Sequence, residues 1–355
     1  MEKTVLSNPH PKSGLLERLK KGPVLCAEGY VFELERRGYV QAGAFVPEVV
    51  LDHPEAVLEL HREFVRAGSD VVEALTYYAH RDKLRMIGRE DDLELMNREA
   101  LKLARKVADE GDALVAGNIC NTNVYLPDDA ASEKAVRRMF EEQVQWAMDA
   151  GVDYIIGETF AHLGEALLAL EIIKKSGSAA VVTLAIHKKG VTREGCPPAE
   201  ACKRLCDAGA EIVGLNCVRG PATMLPLLRE IRKAVECPIA ALPVPYRTTE
   251  VELTFQSLSD PRGPETPHGR SFPTALDPLT CTRYEITEFT RQARDIGVDY
   301  IGLCCGAGPH HVRAMAEALG RKPPASRYSP DMSKHYILGT DAHLLKKYQD
   351  FIEDL

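Results

Sequence analysis

Apolar positions along the chain fall into two alternating kinds of segment. Pro54–Ala67, Asp92–Ala108, Glu133–Ala150 and Pro221–Val235 carry apolar residues at spacings of three and four, which predicts amphipathic helices. Between such stretches lie short runs that are apolar on both alternations, as in Tyr154-Ile155-Ile156-Gly157, which suit strands covered on both faces. Eight strands are predicted, beginning near Val24, Val71, Ala113, Tyr154, Ala180, Ile212, Pro238 and Tyr300. Strands alternating with helices give a parallel sheet.

A local pattern punctuates the alternation. A helical stretch ends at Gly, and after a short spacer an acidic residue precedes the next apolar run. The copies are Ala67-Gly68-Ser69-Asp70-Val71, Glu110-Gly111-Asp112-Ala113, Ala150-Gly151-Val152-Asp153-Tyr154, Ala208-Gly209-Ala210-Glu211-Ile212 and Ile296-Gly297-Val298-Asp299-Tyr300. This reads as a glycine-closed helix feeding a strand through a short loop. No G-x-G-x-x-G follows the first strand and no G-x-x-x-x-G-K-[ST] occurs, so nucleotide binding has no motif support. The expected fold is therefore an α/β (β/α)8 TIM barrel spanning residues 15–321, with an N-terminal segment 1–14 and a C-terminal tail 322–355. Pro245–Pro278, with Pro261, Pro264, Pro267, Pro273, Gly263 and Gly269, reads as a long loop after the seventh strand that covers a site. The tail opens with Pro323-Pro324 and carries a predicted helix Asp341–Asp354, suited to oligomer contact.

Charge narrows the function classes. The net charge of −8 across 355 residues, without a basic run, points away from nucleic acid and anionic membranes. Residues 1–14 are polar and no segment approaches the ~18–20 apolar residues of a membrane span, so a cytoplasmic protein is expected. Ten cysteines then read as reduced thiols, some of them on metal. Cys120, Cys196, Cys202, Cys206, Cys237 and Cys281 read as packing residues, and Cys26 as either packing or site.

Chemistry in such a barrel gathers at the C-terminal strand ends. These ends read Cys26-Ala27-Glu28-Gly29, Glu73 followed by Tyr77 and Tyr78, Asn118, Gly157-Glu158-Thr159, His187, Asn216-Cys217, Pro243 and Cys304-Cys305-Gly306. Cys217, Cys304 and Cys305 converge on one rim, either as small apolar residues or as three thiolate ligands that leave a metal position open to a soft substrate. Glu158 is suited to a substrate ammonium or to an ion pair within the rim. Phe45, Tyr77 and Tyr78 form either a cage for a cationic methyl donor or ordinary packing. His80, His162 and His187 read as structural.

At these residues the chain resembles the homocysteine S-methyltransferase family, and within it the betaine-dependent branch. The resemblance runs from roughly Leu15 to Pro324. It rests on Gly38-Tyr39-Val40-Gln41-Ala42-Gly43, His53-Pro54-Glu55-Ala56-Val57, Leu60-His61-Arg62-Glu63-Phe64, residues 107–117, Gly214-Leu215-Asn216-Cys217 and Gly302-Leu303-Cys304-Cys305-Gly306. The resemblance implies Zn2+ on Cys217, Cys304 and Cys305, with the homocysteine thiolate taking the remaining position and Glu158 holding its amino group. It implies an onium donor against aromatic residues, Tyr78 near the metal, no corrinoid or folate, and a homo-oligomer, dimer or tetramer. Substrate contacts are expected from Glu28, Gly29, Phe45, Glu73, Tyr77, Tyr78, Asn118, Glu158, Thr159 and Asn216.

The chain also departs from the family pattern. The family's Asp-Gly-Gly run is Ala27-Glu28-Gly29 here, and an amide–hydroxyl pair is Glu73-Ala74. A tryptophan and a tyrosine of the betaine branch correspond to Phe45 and Thr159. Glu28 and Glu73 are expected to add negative charge near a cationic donor. These departures keep methyl transfer to a metal-bound thiol. They leave open a sulfonium donor, another acceptor, a zinc-binding scaffold without catalysis, or an acid–base pair of Glu158 and Glu73.

Overall fold

The computed structural model describes residues 13–262 and 269–344. Gly263, Pro264 and Pro267 of the long loop, and all but the first four residues of the predicted helix Asp341–Asp354, lie outside the described residues. The strands are β1 (Val24–Ala27), β2 (Val71–Glu73), β3 (Leu114–Cys120), β4 (Tyr154–Phe160), β5 (Ala180–Leu184), β6 (Ile212–Asn216), β7 (Ile239–Leu242) and β8 (Tyr300–Leu303). All pairings are parallel, in the order β1-β8-β7-β6-β5-β4-β3-β2. Helices alternate with the strands, including Pro54–Ala67, Leu93–Ala108, Ala130–Asp149, Leu163–Lys175, Pro198–Asp207, Pro221–Ala234, Arg283–Ile296 and Pro309–Ala318. The sheet curls into the expected (β/α)8 barrel, and the predicted strand starts at Ala113 and Pro238 move by one residue each.

The side-chain alternation of the strands sorts the core into layers. Leu25, Val72, Val115, Ile155, Val182, Val213, Ala241 and Ile301 point outward to the helices. Val24, Val71, Leu114, Tyr154, Val181, Ile212, Ala240 and Tyr300 fill the lower interior, where the hydroxyls of Tyr154 and Tyr300 meet at 2.9 Å across the barrel. Higher on the same inward alternation, past Ala116 and Ile156, the residues become Glu73, Asn118, Glu158, Thr183 and Asn216. The same inward alternation thus runs from apolar at the bottom to polar at the top.

The recurring acidic residue closes the bottom. Gly68, Gly151, Gly209 and Gly297 take the left-handed conformation that ends the preceding helix, and Gly111 does not. The next acidic side chain then accepts from the backbone N–H of a neighbouring strand. Asp70 accepts from Leu25 at 2.8 Å, Asp153 from Val115 at 2.7 Å, Glu211 from Ala180 at 2.7 Å and Asp299 from Ile239 at 3.2 Å. Each also faces a cation: Arg321 at 2.6 Å, Arg105 at 3.9 Å, Lys174, and Arg232 at 3.8 Å respectively. Asp70 has a special place, because β1 and β2 share no ladder and its carboxylate and backbone N–H, the latter 2.7 Å from Leu25 O, join them.

One sequence reading is corrected. Cys206, at the end of the helix Pro198–Asp207, and Cys237, in the turn before β7, pack against the core as expected, but as a disulfide with a Cα separation of 6.4 Å and not as reduced thiols. The local pattern showed each cysteine beside apolar residues. That the barrel's turns bring them within bridging distance is a tertiary fact.

Replacing Asp70 with Ala strands the Leu25 N–H and Arg321 together. The expected cost is about 2–3 kcal/mol in urea unfolding, the scale of a charged hydrogen bond lost from a part-buried site.

Candidate active site

The top layer brings the predicted residues together. A break in the β4/β5 register between Gly157 and Phe160 frees Glu158 and Thr159 from β5, and Thr159 sits at φ 62°. Glu158 stays paired with Cys120 of β3, and the inward alternation of β4 turns it toward the barrel axis. There its Oε1 accepts from Asn118 Nδ2 at 2.6 Å, and its Oε2 from Asn216 Nδ2 at 2.5 Å and Thr159 Oγ1 at 3.1 Å. Asn118 also donates to Glu73 Oε1, while Glu73 Oε2 and both oxygens of Glu28 are buried without a partner. Gly29 is required by packing, since a Cβ there would stand 2.6 Å from Ala307 O.

Burial dominates the electrostatics. It pushes the Glu28 and Glu73 carboxyls well above the ordinary glutamate range, and neighbouring carboxylates add to the effect. Burial lifts Glu158 to about 7 against the pull of its amide and hydroxyl donors. A small chamber of about 20 Å³ opens among Glu28, Glu73 and Glu158, bounded by Cys304 and Cys305. Three buried carboxyls around one chamber need a cation or protons.

The cysteines stand just outside. Cys217 sits at φ 53°, its N–H held by Leu242 O at 2.9 Å and its carbonyl by Arg219 N–H at 2.6 Å. Cys304 N–H is held by Pro243 O at 3.0 Å. Cys217 Sγ and Cys304 Sγ each lie 3.8 Å from Cys305 Sγ. Thiolates bound at about 2.3 Å around a tetrahedral zinc ion stand about 3.8 Å apart, so the trio fits such an ion. Hydrogen bonds from the two neighbouring thiols hold Cys217 well below the ordinary thiol range, and Cys304 and Cys305 are pushed up in return.

Beyond the sulfurs lies a cavity of about 660 Å³. Phe45, Tyr77, Tyr78 and Thr159, named above as candidate substrate contacts, line it together with Cys217 and Cys305. Tyr77 bounds both the chamber and the cavity, and Tyr78 packs its ring 4.3 Å from Tyr77, under Lys83 Nζ at 4.1 Å. His162 and His187 also reach the lining, whereas His80 is buried edge-on to Tyr78 at 5.9 Å. Glu28 and Glu73, expected near the donor, open into the chamber instead, because they lie on the inward alternation while loops build the outer wall.

Sequence reasoning missed part of that wall. Phe32 stacks on Phe45 at 5.1 Å and meets Phe255 at 5.9 Å and Phe272 at 6.3 Å. Phe255 and Phe272 come from the long loop, which therefore does border the site, and isolated phenylalanines in its polar stretch were the available signal. Arg36 ties that loop down, donating to Tyr246 Oη at 2.8 Å and facing Asp277 at 3.5 Å.

A sequence profile of the homocysteine S-methyltransferase family matches residues 28–319. The chain belongs to this family. Betaine–homocysteine S-methyltransferase 1 of Mus musculus is 41% identical over 330 residues, covering 89% of this chain and 78% of the mouse protein. S-methylmethionine–homocysteine S-methyltransferase of Pongo abelii is 38% identical over 330 residues, covering 90% and 86%. The metallated homocysteine methyltransferase MmuM of Escherichia coli superposes with a TM-score of 0.67 at 20% identity, covering 86% of this chain and 99% of that one, a likeness of fold. The chain is thus a methyltransferase of the homocysteine S-methyltransferase family. Its two relatives are named for different donors, so the donor has to be argued from the cavity.

Folded Glu73 keeps its proton to higher pH than unfolded Glu73, so the ligand-free protein loses stability as pH rises from the ordinary glutamate range toward the folded pKa. Glu73→Gln is expected to be the more stable protein at pH 8, by about 1 kcal/mol or more, with the gap narrowing toward pH 5. Urea unfolding of ligand-free protein across that pH range checks both the sign and the trend.

Proposed function

We propose that the enzyme transfers a methyl group from an onium donor, glycine betaine or a close analogue, to the thiol of homocysteine, giving methionine. The observation that carries this reading is the placement of three sulfurs between an acidic chamber and an aromatic cavity. The chamber suits the ammonium end of an amino-acid thiol, whose single positive charge one ionised carboxylate, Glu158, balances while Glu28 and Glu73 can keep their protons. The cavity suits a methylated cation, held against the faces of Phe45, Tyr77 and Tyr78. The acceptor sulfur lies between them, beside Cys217, Cys304 and Cys305.

These cysteines would hold Zn2+, supported by their 3.8 Å spacings. When bound, zinc keeps a coordinated thiol as thiolate near neutral pH. The acceptor's S–H proton passes to solvent as the thiol binds, and its sulfur attacks a donor methyl carbon in line. The new S–CH3 bond forms as the old bond to the onium atom breaks, and the electron pair stays with the departing donor. Opposite charges cancel in this step, so a wall that excludes water favours it. Orientation is the chain's main contribution: Asn118 and Asn216 fix Glu158, and Glu158 fixes the acceptor.

A sulfonium donor is the second reading, favoured by Phe45 and Thr159, which leave the cation a wall of phenylalanine faces. Exposed Tyr328, Met332 and Leu338 on the tail support a homo-oligomer. No described helix is long and apolar enough to cross a membrane, in keeping with a cytoplasmic enzyme.

Cys305→Ala is expected to lose bound zinc, measured per chain by metal analysis, and to lower turnover by at least about a hundredfold. Cys202→Ala, in the outer core on the helix Pro198–Asp207, should keep both. Zinc and activity surviving together in Cys305→Ala would falsify the metal assignment. The donor reading is checked by incubating zinc-replete protein with homocysteine and glycine betaine, dimethylsulfoniopropionate, dimethylthetin or S-methylmethionine. Mass spectrometry should find methionine with at least one onium, and none with any of them would sink the reading.

A further inference from the structure

The outer cavity has one permanent positive charge among its described lining residues, the guanidinium of Arg193. The carboxylate of that lining, Glu165, is already engaged, accepting at Oε1 from Thr122 N–H at 2.8 Å and Thr122 Oγ1 at 2.6 Å. The nearby Arg219 spends its guanidinium on the carbonyls of Ile186 at 2.8 Å and His187 at 2.9 Å. Arg193 is exposed and makes no ion pair among the described residues. A cation left over at the mouth of a cavity built for a cation calls for an explanation.

Its backbone is fixed where it stands. Arg193 N–H donates to Ala161 O at 2.8 Å, and Thr192 N–H to Cys196 O at 2.9 Å. The next residue, Glu194, accepts from Leu163 N–H at 3.0 Å and Gly164 N–H at 3.1 Å, at the start of the helix Leu163–Lys175. The loop after β5 is thereby tied to the end of β4, the strand that carries Glu158 and Thr159.

Resting on the methyl-transfer reading above, we propose that Arg193 is the specificity residue for the donor's carboxylate. The donor lies with its methylated cation against the aromatic wall beside the sulfurs and its carboxylate on Arg193. A guanidinium suits this task because it pairs with a carboxylate through two parallel N–H···O bonds and stays charged. The donor class is then a carboxylate-bearing onium, and alcohol or alkyl oniums with the same cationic head are excluded for want of that pair.

The test uses the zinc-replete full chain with donors paired by cationic head: glycine betaine with choline, and dimethylthetin with 2-hydroxyethyl-dimethylsulfonium. Donor Kd is measured by isothermal titration without homocysteine, and turnover by methionine formation with homocysteine saturating. For the carboxylate donors, Arg193→Met is expected to raise Kd and KM about tenfold or more, the scale of one charged pair, with kcat changed far less. The homocysteine KM should stay unchanged, and Arg193→Lys should recover part of the loss. The alcohol donors should bind weakly to wild type and equally weakly to Arg193→Met. An active wild type whose glycine betaine Kd and KM move less than about twofold in Arg193→Met overturns this proposal alone. Equal weakening of choline does the same, since it would mark a general effect on the cavity. A wild type that neither binds nor uses any of these oniums overturns the methyl-donor reading and this proposal with it.

Discussion

The structure turns on the cost of burying like charge. Glu28, Glu73 and Glu158 share one chamber at the top of the barrel, and three thiols crowd its edge. Carboxylates lifted by burial and by one another sit at the expense of stability, and unpartnered oxygens on Glu28 and Glu73 show that the protein alone does not satisfy them. On the proposed reading, a substrate ammonium and a metal dication answer both deficits, and the groups that weaken the ligand-free fold are the ones that bind a cation and a thiol.

The barrel meets this cost at its other end. Asp70, Asp153, Glu211 and Asp299 are acidic as well, but each has a backbone N–H and a facing cation. Acidic residues at the strand starts thus tie neighbouring strands together, and acidic residues at the strand ends are left short of partners. This division follows the (β/α)8 pattern, in which the lower face carries stability and the upper face chemistry.

Much of this was legible in the sequence, for physical reasons. Runs such as Tyr154-Ile155-Ile156-Gly157 are buried on both faces, which fixes strand and parallel sheet at once. The strand ends place Glu28, Glu73, Asn118, Glu158, Asn216 and the cysteines on one rim by topology alone. What escaped depends on chain segments without periodicity. Phe255 and Phe272 reach the cavity through a loop whose path is set by Arg36 and by the Phe255 N–H bond to Val218 O at 2.9 Å. The Cys206–Cys237 pairing likewise depends on how two turns meet. The roles of the repeated Asp and Glu were invisible because their partners are backbone atoms of another strand.

The outer wall shows how a donor site tolerates substitution. Phe45 and Thr159, which the family resemblance sets against a tryptophan and a tyrosine, offer the cavity one phenylalanine ring and no second aromatic face. Phe32 stacks on Phe45 in parallel at 5.1 Å, with 10° between the planes, and Phe255 and Phe272 meet edge to face at 4.9 Å, extending the apolar surface behind it. Cation–π attraction depends on the faces presented within about 6 Å, and a phenylalanine face is weaker than that of tryptophan. The lost attraction at the cationic head shifts weight to other contacts with the donor. In a cavity where carboxyls are spent or turned inward, the remaining place for directional binding is the far end of the donor, under Arg193. On the proposed reading, aromatic and carboxylate recognition are therefore one design: the wall takes the methylated cation, and the guanidinium sets how far from the sulfur its methyl comes to rest.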